Sequence, residues 1–198
     1  MVLMQPNSLK FIFGLLLCIS YSVCCHSFSG TANVFQPCYA IRTAPSFVRI
    51  KKISNEKGMG AIAHDRISVG QIVGDYCGEI ITKAQMERRY LSSQQHLMIE
   101  CDKDWLSSRK ERGCSITGDY LFGVSSCDLF IDAEDEDISS WARYINHSTS
   151  PNLCPKSLPS GMDGKPRVWF VATRDIFEGE ELCYDYGDNY WQEGDMVV

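Results

Sequence analysis

No acidic residue occurs in the first 55 positions, and nowhere does the chain hold the roughly twenty consecutive apolar residues that a membrane helix needs. A C-x₂-C pair is missing, and so is any Cys/His cluster with zinc-ligand spacing, so no metal site is expected. Of the 10 cysteines, Cys18, Cys24 and Cys25 lie in or beside the apolar N-terminal run, leaving an odd number in the rest. That count, without paired spacing, excludes a disulfide framework. Most of these cysteines read as small buried hydrophobes, and they suit a reducing compartment. Internal repeats are absent, as is any linker between folded segments, and 198 residues suit one domain with a real core.

The charge is −6, from 19 basic and 25 acidic residues. Lys10, Arg42, Arg49, Lys51 and Lys52 all precede the first acid, so the remainder is far more acidic than the whole. Such a surface repels phosphate backbones and attracts basic polypeptides. Direct nucleic-acid binding is not expected; a basic peptide substrate fits, and solubility alone accounts for the surplus equally well.

Residues 10–25 (KFIFGLLLCISYSVCC) have the length of a signal-peptide core, short for a stable membrane span. Cys25 and Ser27 suit the small positions of a cleavage before Phe28, giving a signal-like segment 1–27. Residues 28–46 are rich in Ser, Thr and Ala and lack acids, like a transit peptide or a disordered segment. Together these resemble bipartite plastid targeting. A plain secretory signal, or a nuclear protein whose true start lies downstream, are the alternatives.

From Ser46 the chain reads as a strand (SFVRIKKI) leading into a turn with Gly58, Met59 and Gly60, where glycine lets the backbone approach a ligand. Residues 72–81 form a second apolar run. Thr82-x-x-Gln85 is a capping box that should start a helix through about Gln95. Residues 96–118 read as charged, irregular loop. Residues 120–122 and 127–132 read as strands, and the acidic run 134–137 as a solvated turn. Ile138, Trp141, Ala142 and Ile145 share one face of a short helix that delivers Asn146 and His147. Residues 155–165 read as a loop and 167–173 as a strand with alternating faces.

The stretch 179–191 (GEELCYDYGDNYW) gathers Tyr184, Tyr186, Tyr190 and Trp191 among several acids. Aromatic faces attract cations by roughly 0.5–2 kcal/mol each. A lysine ammonium and a sulfonium both fit such a pocket; so does a last strand with a buried aromatic face. Taken with RYINHSTSPN at 143–152, the stretch resembles the SET-domain protein lysine methyltransferases, whose signature is R-Y/F-I-N-H-S-x-x-P-N followed by E-E-L-x-Y/F-D-Y-G. RVWFVATRD, G-M-G at 58–60 and Y-C-G-E-I at 76–80 match further elements of that family, in order. The run from YDYG into DNYW is most similar to the heterochromatin-type histone methyltransferases.

The resemblance covers roughly 47–191, leaving 192–198 as a tail. It implies a mainly β fold with short helices: the SET β-clip, with pseudoknot-like threading of the C-terminal segment. It implies S-adenosyl-L-methionine as cofactor and lysine in a basic protein or peptide, histone or organellar, as substrate. Tyr186 would orient the amine and methyl group, and Tyr184 would set how many methyl groups are added. Asn146 and His147 would bind the cofactor, with Gly58, Met59, Gly60 and Tyr120 completing its pocket. Tyr190 and Trp191 would wall both sites, and Tyr76 is a further channel candidate. The heterochromatin-type enzymes close the lysine channel with a zinc-binding cysteine cluster after this motif, and the seven residues after Trp191 hold no cysteine. A partner or another segment is therefore expected to close it, or the domain is a weak or inactive module. Asn146-His147-Ser148 is also a glycosylation acceptor inside the expected cofactor site. An active enzyme is thus expected in a reducing compartment, a plastid or the nucleus.

Overall fold

The domain opens on an antiparallel hairpin. β1 (Val48–Ser54) pairs with β2 (Gly58–Ala63), from Val48 opposite Ala63 to Ser54 opposite Gly58. The computed structural model describes residues 42–187, residues 56 and 162 excepted. The two N-terminal targeting-like segments therefore lie outside the described residues for all but their last few positions, as does the tail. Gly58 turns the hairpin with a φ of 72°, a region that L side chains resist.

Two three-stranded antiparallel sheets follow. β3 (Ile72–Tyr76), β8 (Leu153–Leu158) and β9 (Arg167–Ala172) form one, in the order β3-β9-β8. β4 (Glu79–Thr82), β5 (Leu121–Gly123) and β6 (Leu129–Asp132) form the other, in the order β4-β6-β5. The apolar run 72–81 is thus two strands in different sheets. Gly78 explains the break: a Cβ there would run into the Asp132 carbonyl and Ala133, so two backbones meet where only glycine fits.

The aromatic rings of Tyr76, Phe122, Phe170 and Tyr184 sit between these sheets at centroid distances of 4.8 to 6.5 Å. Their burial, with Ile67, Ile145, Leu153, Ile176 and Leu182, makes the main core. The alternating strand expected at 167–173 is present as β9, with Val168, Phe170 and Ala172 buried.

Thr82 caps helix α1 (Lys83–Tyr90) through the expected box: its hydroxyl takes the Gln85 N–H, and Gln85 takes the Thr82 N–H. The helix stops at Tyr90 rather than near Gln95, because Leu91 is extended and the chain re-enters a 3-10 helix at Ser92–Leu97. Helix α2 (Glu100–Glu111) then occupies a segment whose sequence reads as loop. Its inward face is polar, which is why no apolar period marks it. Asp102 (0 % exposed) takes Arg88 at 2.6 Å and Arg89 at 3.0 Å. Arg109 (1 % exposed) reaches Asp132 at 3.0 Å and Glu79 at 3.3 Å. The Trp105 ring lies between the Arg89 and Arg109 guanidiniums, 4.7 Å from each, and its N–H donates to Glu79.

Three further expectations are corrected. Only Trp141–Tyr144 is helical, as one 3-10 turn, and Ile138 is exposed. Ser140 breaks the longer helix by pinning itself to the end of β3: its hydroxyl donates to the Asp75 carbonyl and accepts from the Cys77 N–H. The first part of 155–165 belongs to β8. Finally, Glu134 and Asp135 are buried, not solvated. Of the six described cysteines, only Cys183 is fully buried and Cys101 is exposed, so most are not core residues. No helix among the described residues is long and apolar enough to cross a membrane.

The C-terminal segment supplies the expected threading. It runs beside β2, where the Ala63 N–H donates to Glu180 and the Leu182 N–H to Ala61. It then passes along the 146–152 segment, where β10 (Cys183–Tyr184) pairs in parallel with β7 (Asn146–His147). Asn152, 3 % exposed, fastens the crossing: its amide donates to the Glu181 carbonyl at 2.8 Å and accepts the Cys183 N–H at 2.9 Å. Its own N–H donates to the Cys183 carbonyl. Removing that side chain leaves a half-buried carbonyl and a buried N–H unpaired. Asn152→Ala should therefore cost about 2–4 kcal/mol, read as a shift in the denaturant midpoint at unchanged slope.

Candidate active site

The site is built where β7 and β10 run side by side. Parallel pairing sets Asn146 opposite Cys183 and His147 opposite Tyr184, so the two motifs that are far apart in sequence share one edge. Asn146 reaches the other way with its amide, donating to the Met59 carbonyl at 3.2 Å and to Glu181 Oε1 at 2.8 Å. Glu181 in turn faces Lys57 Nζ at 3.3 Å. The G-M-G turn, Asn146 and the E-E-L turn are thereby joined through one carboxylate.

Gly60 is required by this packing. A Cβ on it would stand 2.5 Å from Ile53 Cγ1 and 2.9 Å from the Asn146 amide nitrogen. The result is a backbone edge at 58–60 with a polar amide beside it, the arrangement suited to the polar, zwitterionic end of an amino-acid-like ligand. Met59 is exposed, in keeping with a position on the surface of that edge.

His147 is the hinge to the aromatic side. Its Nδ1 accepts the Tyr186 N–H at 3.1 Å. Asp185 approaches the same nitrogen at 3.7 Å, too far for a competing bond. The Tyr186 ring lies 5.4 Å from His147 and 4.6 Å from Tyr184. Its hydroxyl donates to the Ile145 carbonyl at 2.9 Å, so its oxygen lone pairs remain able to accept from an amine.

Tyr76 stands beside this group. Burial first, and then the neighbouring Tyr186 and Asp132, push its hydroxyl well above the ordinary tyrosine range. It therefore stays a donor, and it donates to the Tyr120 carbonyl at 2.8 Å. Tyr120 itself carries the Arg143 guanidinium 4.0 Å above its ring. Its contacts are thus with Tyr76 and Arg143 on the tyrosine side, whereas the sequence reading grouped it with the glycine turn. Tyr184 is almost completely buried against Phe170 at 4.8 Å. Tyr190 and Trp191 lie outside the described residues.

Met59 and Gly60 thus meet Asn146, His147 meets Tyr186 and through it Tyr184, and Tyr76 meets Tyr120, while Gly58 turns the hairpin without touching the group. Sequence reasoning passed over Glu181, Asn152 and Arg143 as individuals. Each stands inside a quoted motif, yet their partners come from segments distant in sequence or from main-chain groups and rings, which residue type alone does not disclose.

The SET domain family profile matches residues 58–187 of this chain. The chain is similar to the histone-lysine N-methyltransferase ASHH3 of Arabidopsis thaliana, 34% identical over 139 residues that make up 70% of this chain and 32% of that protein. It is similar to the probable histone-lysine N-methyltransferase set-23 of Caenorhabditis elegans, 33% identical over 131 residues, 66% of this chain and 46% of that protein. A crystal structure of CpSET8 from Cryptosporidium superposes with a TM-score of 0.49 at 31% identity, covering 72% of this chain and 58% of that one. The chain belongs to the SET domain family. It spans less than half the length of either of those two sequence relatives.

Cys183 lies on the shared edge, and burial, followed by Glu181, raises its thiol to about 11. At pH 8 about one thiol in a thousand is ionised there, against a nucleophile that must be thiolate. Iodoacetamide at that pH should label the exposed Cys101 and leave Cys183 unmodified until the chain is denatured, as read by peptide mass spectrometry. Fast native labelling of Cys183 would mean that the crossing opens.

Proposed function

We propose that this domain transfers a methyl group from S-adenosyl-L-methionine to the side-chain amine of lysine in a basic protein, with histones and organellar non-histone proteins as the substrate classes. The observation that carries the reading is the Tyr186 hydroxyl, held by the Ile145 carbonyl next to Tyr184 and Tyr76 and one hydrogen bond from His147. The relatives named above, and the acidity of the chain, support it. The sulfonium of the cofactor supplies an electrophilic methyl group. Gly58, Met59, Gly60, Asn146 and His147 would hold the cofactor, Asn146 through its position between the Met59 carbonyl and Glu181.

The chemistry asked of the protein is positioning. In-line displacement needs a neutral amine placed within near-attack distance, and little acid–base help in the transfer itself. Tyr186 accepts an amine N–H while its own proton points at Ile145. Burial among Tyr76, Tyr184 and Tyr186 disfavours the ammonium's hydration and so favours the free amine. Tyr184 limits the space around that nitrogen. Because a glycan on Asn146 would displace its contacts with Met59 and Glu181, we place the working enzyme in a reducing compartment: a plastid, or the nucleus. A partner closing the lysine channel belongs to the same proposal.

Calorimetry with S-adenosyl-L-methionine, followed by transfer of labelled methyl to histones or organellar lysate proteins, tests the reading. Failure to bind the cofactor would leave a SET module that binds peptide or scaffolds a complex. Tyr186→Phe should reduce kcat by about 10² or more with cofactor affinity retained, because only the oriented amine is lost. Tyr184→Phe should shift the products on a histone substrate towards higher methylation, and an unchanged product ratio in the mass spectrum would remove Tyr184 from that role.

A further inference from the structure

Glu134 is a carboxylate 2 % exposed, in a run of four acids, and its partners all come from a single loop. Oε1 accepts the Thr117 N–H at 2.9 Å, the Thr117 hydroxyl at 2.7 Å and the Ser115 hydroxyl at 2.8 Å. The Gly118 N–H donates to both oxygens, at 3.1 and 2.9 Å. The next acid repeats the pattern one step upstream, Asp135 pairing with Arg112 at 2.6 Å at the end of α2. The strand end that carries Glu134 therefore grips the chain from 112 to 118.

Two residues further on is Tyr120. Its carbonyl takes the Tyr76 hydroxyl at 2.8 Å and the Ala133 N–H at 3.1 Å, and Ala133 immediately precedes Glu134. Tyr120 is thus held from both sides by adjacent residues of one segment, through its own carbonyl by Ala133 and through Thr117 and Gly118 by Glu134. Its ring lies under Arg143, a guanidinium 8 % exposed whose Nε makes no hydrogen bond. Beyond the rings, its Nη1 stands 3.6 Å from Glu136 Oε1, so the guanidinium is held between the Tyr120 face and the same acidic run.

We propose that Glu134 is a positioning residue of the active site. By gathering the 115–118 loop it fixes Tyr120, and through the Tyr120 carbonyl it fixes the Tyr76 hydroxyl beside Tyr186. It touches neither cofactor nor amine, and acts through these two tyrosines. A carboxylate suits this role because Oε1 faces the Ser115, Thr117 and Gly118 donors while Oε2 takes the Gly118 N–H as well, whereas an amide of the same size turns its N–H₂ against Gly118. The catalytic consequence rests on the reading of the tyrosine group as the lysine site; the placement of Tyr120 and Tyr76 does not.

Glu134→Gln separates the two. In recombinant full-length protein we expect cofactor affinity by calorimetry within about twofold of the parent, and kcat/KM on recombinant histone H3 lowered at least about tenfold, chiefly in kcat. Thr117→Val removes one of the same donors, so the double variant should lose less than the two single losses combined. Hydrogen exchange gives a readout independent of turnover: amides of 115–123 should exchange faster in Glu134→Gln, with 58–63 and 182–184 unchanged. Parental kcat/KM in Glu134→Gln, fully additive losses, or exchange accelerated uniformly across the domain would each overturn the proposal. Should the parent protein methylate no substrate, the proposed function fails, and the local or uniform exchange pattern still decides whether Glu134 sets the Tyr120 wall.

Discussion

Everything at the candidate site depends on how one asparagine is satisfied. Asn152 donates to the Glu181 carbonyl, accepts from the Cys183 N–H and places its own N–H on the Cys183 carbonyl, while its carbonyl takes the Thr173 N–H. These four bonds tie the end of β9, the E-E-L turn and β10 to one residue. Only with that crossing made does β10 lie along β7, and only then do His147 and Tyr186 meet. A buried side chain with both its amide and its main chain paired is costly to disturb, because each orphaned group loses its hydration as well as its partner. The crossing is accordingly specific in register: a one-residue slip would set Tyr184 opposite Asn146 and turn the aromatic ladder away from the core.

A second polar arrangement holds the helical insert, by different physics. Asp102, Arg89, Arg109, Glu79 and Asp132 alternate in sign around the Trp105 ring, and four of the five are buried. Desolvation opposes each charge, and burial holds the Asp132 carboxyl above its ordinary range in spite of Arg109. Such a group contributes geometry more than net stability, since breaking it strands a charge while replacing it whole by apolar residues is often neutral. Its place matters for function because Asp132 and Glu79 pair across β4 and β6, and Ala133 and Glu134 follow Asp132 directly. The insert and the tyrosine group thus share one strand end.

Legibility in the sequence tracked the kind of force involved. Where a residue type carries its own chemistry, the sequence sufficed: the capping box of Thr82 and Gln85 forms as its pattern requires, and the two motifs that hold Asn146-His147 and Tyr184-Tyr186 do meet along one edge. Strand β9 was legible because its period of two is set by one buried face. Helix α2 was not, since its inner face is Asp102, Trp105 and Arg109, which no hydrophobic period marks. The turn at 134–137 misread for the same reason: four acids resemble a solvated run until a loop wraps two of them. The split of 72–81 into β3 and β4 comes from Gly78 meeting the backbone of Asp132, a contact between segments that no local window contains. The 3-10 turn at Trp141–Tyr144 was cut short by Ser140 bonding to β3, again a partner far away in sequence.

The tyrosine group takes its geometry from main-chain acceptors. Tyr76 and Tyr186 each spend their hydroxyl proton on a backbone carbonyl, that of Tyr120 and that of Ile145. Those carbonyls fix the direction of each hydroxyl, and burial holds Tyr76 protonated besides. With their protons committed inward, the oxygens present lone pairs, and neutral lone pairs among aromatic rings discriminate by geometry: they accept from an amine N–H but stabilise a full ammonium less well than water does. Such a pocket favours a free amine over an ammonium, as the proposed reaction requires. The remaining requirement is that the carbonyls themselves stay put. Ile145 is fixed by the parallel crossing at its neighbour Asn146, and Tyr120 by Ala133 and the carboxylate of Glu134. Placement of two carbonyls is therefore the form in which the fold delivers its chemistry.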